Sequence, residues 1–116
     1  MLKHIRISIM LDNYGCLLTP KQKDIMELYY NNDFSLSEIA EGTKTSRQAI
    51  YDLIKRCEKQ LDEYENKLKL VEKYFESDKI KKEMLQMINH MRDEKITQED
   101  KESILTKLED MINEKF

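Results

Sequence analysis

Apolar residues recur at helical intervals along most of the chain, and polar residues fill the faces between them. Ile7, Met10, Leu11 and Tyr14 fall on one side of a first helix, read from Leu2 to Tyr14. Gly15 is placed to stop it, because glycine takes the left-handed backbone common just past a helix end. Thr19-Pro20-Lys21-Gln22 then starts a second helix. Thr19 caps, Pro20 sits where its missing N–H does no harm, and Gln22 bonds back to the cap. This helix carries Ile25, Met26, Leu28 and Tyr29 to a break at Asn31-Asn32-Asp33.

Ser35-Leu36-Ser37-Glu38 is a second capping box and opens a short helix with Ile39 and Ala40 inward. Gly42-Thr43-Lys44-Thr45 makes the turn, and Ser46 caps the next helix. No Gly or Pro interrupts that helix, so the pattern predicts it to run to about Ser77-Asp78. Along it Ile50, Ile54, Cys57, Leu61, Tyr64, Leu68, Val71 and Phe75 alternate steps of four and three, the stripe of a coiled-coil seam. The stripe is about 38 Å long at roughly 1.5 Å per residue. That is too long for the small N-terminal bundle to cover, so a partner helix is expected. Two helices of the same chain are candidates, Lys79 to His90 and one capped by Thr97 with Ile104, Leu105, Leu108, Met111 and Ile112 inward. The other candidate is a second copy, giving a homodimer. Cys57 and Tyr64 suit a loose bundle better than a tight two-stranded seam.

The expected architecture is all-α: residues 1–60 form a helix-turn-helix domain, and residues 61–116 form the long-helix continuation with a C-terminal dimerisation or packing region. Composition agrees, with 37% charged residues and only two glycines and one proline, because sheets need turns that those residues supply. Net charge is −3. A protein held to nucleic acid by bulk charge would be strongly basic, so any such contact must be local. The N-terminal apolar run is broken by Arg6 and Asp12, too short for a signal-peptide core or a membrane span. Cys16 and Cys57 lack metal-ligand spacing and read as reduced thiols of a cytoplasmic protein.

The short helix, the turn and the helix from Ser46 have the proportions of a helix-turn-helix, whose second helix puts its N-terminal residues into the major groove. Ala40 and Ala49 are the small residues expected at the helix crossing, with Leu36, Ile39, Ile50 and Leu53 inward. The expected nucleic-acid face comprises Lys44, Ser46, Arg47, Gln48, Tyr51, Lys55, Arg56 and Lys59. Arg and Gln make paired hydrogen bonds to guanine and adenine. Ser46 and the free N–H groups of the helix start suit a phosphate. Residues 44–60 carry five positive and two negative charges, and Asp52 among them would repel phosphate. Tyr14, Tyr29 and Tyr30 read as core-edge aromatics, and the seven methionines as adaptable packing.

For catalysis the pattern offers nothing. His4 and His90 lie in different elements, and no phosphate-cradling glycine loop, nucleophile arrangement or metal cluster is evident. The carboxylates sit among lysines at helical spacings and read as solvated face. No catalytic residue, metal or cofactor is assigned.

Several stretches taken in order resemble a known family: Tyr14-Gly15, Leu17-Leu18-Thr19, Lys21-Gln22, Met26 to Tyr30, Ser35-Leu36, Glu38 to Glu41, Ser46 to Asp52, and Leu61 to Glu65 with Lys67-Leu68. Together they resemble the YlxM family, small bacterial helix-turn-helix proteins similar to region four of sigma factors and of winged-helix-like type. The resemblance covers roughly residues 5–75. It implies a DNA-binding regulatory module. It also implies a role in the signal recognition particle pathway, with the particle's RNA or GTPase as partner. Thr43 and Thr45 stand where such motifs commonly carry larger apolar residues.

Overall fold

The computed structural model describes residues 2–116. Among them are six α-helices and no strand: α1 Lys3–Tyr14, α2 Pro20–Tyr30, α3 Leu36–Thr43, α4 Arg47–Leu68, α5 Leu70–Met91 and α6 Gln98–Lys115, with a 3₁₀ turn Gly15–Leu17 after α1. The all-α expectation holds. The expected caps are all formed. Thr19 and Ser35 each complete a reciprocal capping box, with Gln22 and Glu38 respectively. Ser46 and Thr97 accept from the N–H of Ala49 and Asp100. Gly15 is a correction: its backbone is right-handed (φ −56°), and the chain tightens into the 3₁₀ turn instead of reversing. A Cβ there would lie 3.3 Å from Lys23 Cε, so the lysine side chain would have to give by a few tenths of an ångström.

The chain divides into two compact units, Met1–Lys73 and Tyr74–Phe116. In the first, α1 to α4 and the start of α5 close around one apolar core. Met10, Tyr14, Met26, Cys57 and Leu61 have no exposed surface, and Ile7, Ile25, Ile39, Ile50 and Ile54 have next to none. Each such aliphatic side chain contributes on the order of 1.5–3 kcal/mol by leaving water. The N-terminal half of the predicted seam is therefore filled by the chain's own α1, α2 and α3. Of the remainder, Tyr64 is half-buried and Val71 buried, while Leu68 and Phe75 are exposed.

The predicted uninterrupted helix is the second correction. It stops at Leu68, where Lys69 adopts the left-handed conformation (φ 57°, ψ 29°). For a residue with a Cβ this costs on the order of 1–2 kcal/mol, and a new helix start exposes fresh N–H groups. Here a buried side chain receives them. Glu65 accepts from the N–H of Val71 at 3.0 Å and of Glu72 at 3.2 Å. The Tyr14 hydroxyl accepts from the N–H of Leu70 at 3.1 Å and donates to Glu65 at 2.6 Å. No glycine or proline announces this break. At the expected stop, Ser77-Asp78, the helix continues, and Asp78 pairs with Lys82 one turn on at 3.0 Å.

The second unit is a hairpin of α5 from Tyr74 onward and α6. The connection is tightened by Asp93, which accepts from the N–H of Lys95. Met87 alone among its residues is buried.

Two outcomes follow from this packing. Leu61→Ala should destabilise the first unit by about 2–5 kcal/mol through the cavity it leaves. Leu68→Ala, on the same stripe but exposed, should cost under ~1 kcal/mol. Urea unfolding of the two variants separates them. The second outcome concerns pH. Burial pushes the Glu65 carboxyl up, but the Tyr14 hydroxyl, the N–H groups of Val71 and Glu72, and Lys69 outweigh it and hold the carboxyl below its ordinary range. A depressed folded value gives stability that is complete above the unfolded carboxylate value, about 4.3, and lost as pH falls through the folded one. Glu65→Gln should lower stability by about 1–3 kcal/mol at neutral pH and flatten the acid limb of stability against pH.

Candidate nucleic-acid interface

The interface is built from α3, its turn and α4. Two turns of α3 place Ile39 and Ala40 in the core against Ile50 and Ile54 of α4. The turn is tied by hydrogen bonds where apolar packing is usual. Thr43 Oγ1 donates to the carbonyl of Ile39 at 2.8 Å and accepts from Thr45 Oγ1 at 2.8 Å. The N–H of Thr45 closes on the carbonyl of Ala40 at 3.0 Å. The two threonines thus do with hydroxyls what larger apolar residues do by burial. Gly42 remains helical, and the left-handed residue of the turn is Lys44 (φ 55°).

All eight expected contact residues, Lys44, Ser46, Arg47, Gln48, Tyr51, Lys55, Arg56 and Lys59, are exposed. Ile50, Ile54, Cys57 and Leu61 face the core, so helical geometry turns Gln48, Asp52, Lys55, Arg56 and Lys59 outward. The Ser46 hydroxyl is occupied by the N–H of Ala49, which leaves the N–H groups of Arg47 and Gln48 without an intrahelical partner. Ala49 is a correction: it is exposed, and Ala40 alone is the small buried residue at the crossing.

The outward residues differ in how free they are. Gln48 donates from Nε2 to Asp52 at 2.9 Å, so the residue expected to repel phosphate instead holds the amide. Lys55 lies 5.4 Å from the centre of the Tyr51 ring and 3.4 Å from Glu58. Among the described residues, Lys44, Arg47, Arg56 and Lys59 form no ion pair. These four are the cations available to a polyanion.

Two functional supports escaped the reading of the sequence. Glu58 and Glu65, assigned to a solvated face, are both buried. The Tyr30 hydroxyl donates to Glu58, which also meets Lys3 Nζ at 3.3 Å. Tyr30 and Tyr14, read as core-edge aromatics, are the buried donors to these carboxylates, and burial together with the neighbouring carboxylate pushes both phenols up. A signal was present in the spacing. Glu58 and Glu65 lie seven residues apart, each one position beyond a stripe residue, Cys57 and Tyr64.

A family model described as "Putative helix-turn-helix protein, YlxM / p13 like" matches residues 1–108. The chain belongs to this family. A UPF0122 protein of Clostridium perfringens (strain SM101) is 50% identical over 113 residues, 97% of this chain and 99% of that protein. One of Clostridium acetobutylicum is 49% identical over 113 residues, 97% of both chains. One of Clostridium novyi is 56% identical over 87 residues, 75% of this chain and 76% of that protein. The match extends well past the residues 5–75 on which the resemblance was read, so α5 and most of α6 are part of what the family shares. The family is described by its helix-turn-helix and not by an enzymatic activity. No helix among the described residues is long and apolar enough to cross a membrane.

The strained Lys44 offers a check on the turn. Lys44→Gly should raise stability by about 1 kcal/mol, since glycine takes the left-handed conformation without the Cβ penalty. Thermal unfolding reads the gain, and any loss of nucleic-acid affinity in this variant then belongs to the missing charge.

Proposed function

We propose that this chain is a DNA-binding regulatory protein that reads duplex DNA with the first turns of α4, in the manner of region four of sigma factors. One observation carries the reading: α3 and the hydrogen-bonded turn hold Arg47 and Gln48 exposed at the N-terminus of α4, with Lys44, Arg56 and Lys59 free of carboxylates around them. Arg47 and Gln48 are the readers; Ser46 and the N–H groups of Arg47 and Gln48 set the phosphate register, and the lysines supply charge. Tyr51 and Lys55 flank this surface. Two copies joined as a homodimer present two such helices, and half-site spacing follows from their separation. The chain acts in the cytoplasm on this reading.

Selection of binding sites from random duplexes tests it directly, with a recovered motif expected and its loss on combining Arg47→Ala with Gln48→Ala. A selection that enriches nothing sinks the DNA reading. Four free cations predict a slope of about −3 to −4 in log affinity against log salt, a loss of about 100-fold between 50 and 200 mM. Lys59→Ala should reduce that slope by about 1 without changing the motif.

A second reading is favoured by the hydrogen bond between Gln48 and Asp52, which occupies the amide that would read a base. With that amide held, free charge dominates the surface, and structured RNA is recognised largely through shape and phosphates. In this reading the chain is an adaptor of the signal recognition particle, contacting its RNA or its GTPase. Arg47→Lys would then cost little. Failure of the purified particle to retain the protein rules this reading out.

A further inference from the structure

The hairpin of the second unit buries Met87 alone, and α6 has no buried residue at all. Two helices with so little covered surface cannot offset the conformational entropy of ordering some forty residues. Their apolar residues are nevertheless numerous and fall on two stripes. One stripe, Ile80, Met84, Met87 and Met91 on α5 with Ile104, Leu108 and Met111 on α6, is at least half-covered by the facing helix. The other is open. Leu85 is 50% exposed, Ile88 42%, Leu105 43% and Ile112 53%, with Tyr74 and Phe116 more exposed still.

These open positions form one surface. At about 100° per residue, Tyr74, Leu85 and Ile88 lie roughly 80–140° round α5 from Ile80, and Leu105, Ile112 and Phe116 roughly 80–120° round α6 from Ile104, in the same rotational sense. In antiparallel helices, equal rotation in the same sense from the facing stripe leads to the same side of the pair. The opposite side bears this out: Glu83, Gln86 and His90, rotated the other way on α5, share a groove with Lys107, rotated the other way on α6. That side is polar. The side of Leu85, Ile88, Leu105 and Ile112 carries the exposed apolar residues, with Lys81 and Arg92 among them.

We infer that this face is the surface on which a second copy of the chain docks, two hairpins closing into an antiparallel four-helix bundle. The inference rests on the two-copy reading above and moves its seat from the α4 stripe, whose N-terminal half is already filled, to α5 and α6. The dimensions fit. An 18-residue helix is about 27 Å long and two side by side about 20 Å wide, a footprint near 500 Å². That is of the same order as the ~800 Å² of accessible surface that a stable interface takes from each partner. The face carries both signs, Lys81 and Arg92 among the apolar residues of α5 and Glu109 and Glu102 at the outer edge of α6. Opposite charges on the two helices suit an identical copy turned about a two-fold axis and disfavour a polyanion.

Sedimentation velocity of the full chain tests this. The wild type should sediment with about twice its 14.0 kDa mass at micromolar concentration. Leu85→Glu combined with Ile112→Glu should weaken association by about 100-fold or more, and Leu68→Glu, on the α4 stripe, should leave it unchanged. Because the separated hairpin is expected to loosen, hydrogen exchange of the wild type supplies the second reading. Amides of α6 and of α5 beyond Tyr74 should gain protection with concentration, and those of α1 to α3 should not. A dimer broken by Leu68→Glu and indifferent to the paired glutamates overturns the assigned face while keeping two copies. A wild-type chain monomeric up to ~100 μM, or α6 protection independent of concentration, overturns the dimer itself, whatever the selection for DNA returns.

Discussion

A carboxylate removed from water must be met by donors, and the Glu65 carboxylate sets where α4 ends and α5 begins. Tyr14 supplies one donor from α1, and the N–H groups of Val71 and Glu72 supply two more from the start of α5. Those same N–H groups would otherwise be the unpartnered beginning of a helix. The two needs cancel each other. This exchange makes the left-handed turn at Lys69 tolerable and returns Val71 to the core formed by α1 to α4.

Seven residues earlier, Glu58 repeats the device in a wetter setting. Tyr30 of α2 donates to it from the core side, and Lys3 and Lys55 approach from solvent. The edge of α4 that carries both carboxylates is thereby joined to α1 and α2, and one of its lysines is drawn into that union. The outward face keeps Lys44, Arg47, Arg56 and Lys59 for an external anion. The exposed cations and the core residues thus share a single helix, which couples the pose of the former to the stability of the whole first unit.

The second unit follows a different economy. Its helices have caps and intrahelical pairs, yet only one of its residues, Met87, is buried. Association is the ordinary way for such a hairpin to gain a core.

The caps, the helix count in the first unit and the helix-turn-helix were all legible in the residues, because they depend on local chemistry. Thr19 with Gln22, Ser35 with Glu38, and Ser46 before an apolar 4-3 stripe each satisfy or expose backbone groups within a few positions. The family likeness was legible for the same reason, since it rests on those stretches. Tertiary structure decided what depends on partners distant in the chain. Glu65 meets the new helix start together with Tyr14, 51 residues away, and no glycine or proline marks the spot. Glu58 is buried only because Tyr30 is there to meet it. Ala49 looked fit for the crossing, but the rotation of α4 that buries Ile50 and Ile54 turns it outward. The amino-acid sequence on its own determined where the capped helices begin and which faces of the first unit are apolar. The fold alone decided where the long helix stops and which charges stay free, because burial of a carboxylate is settled by neighbours that spacing along one helix does not reveal.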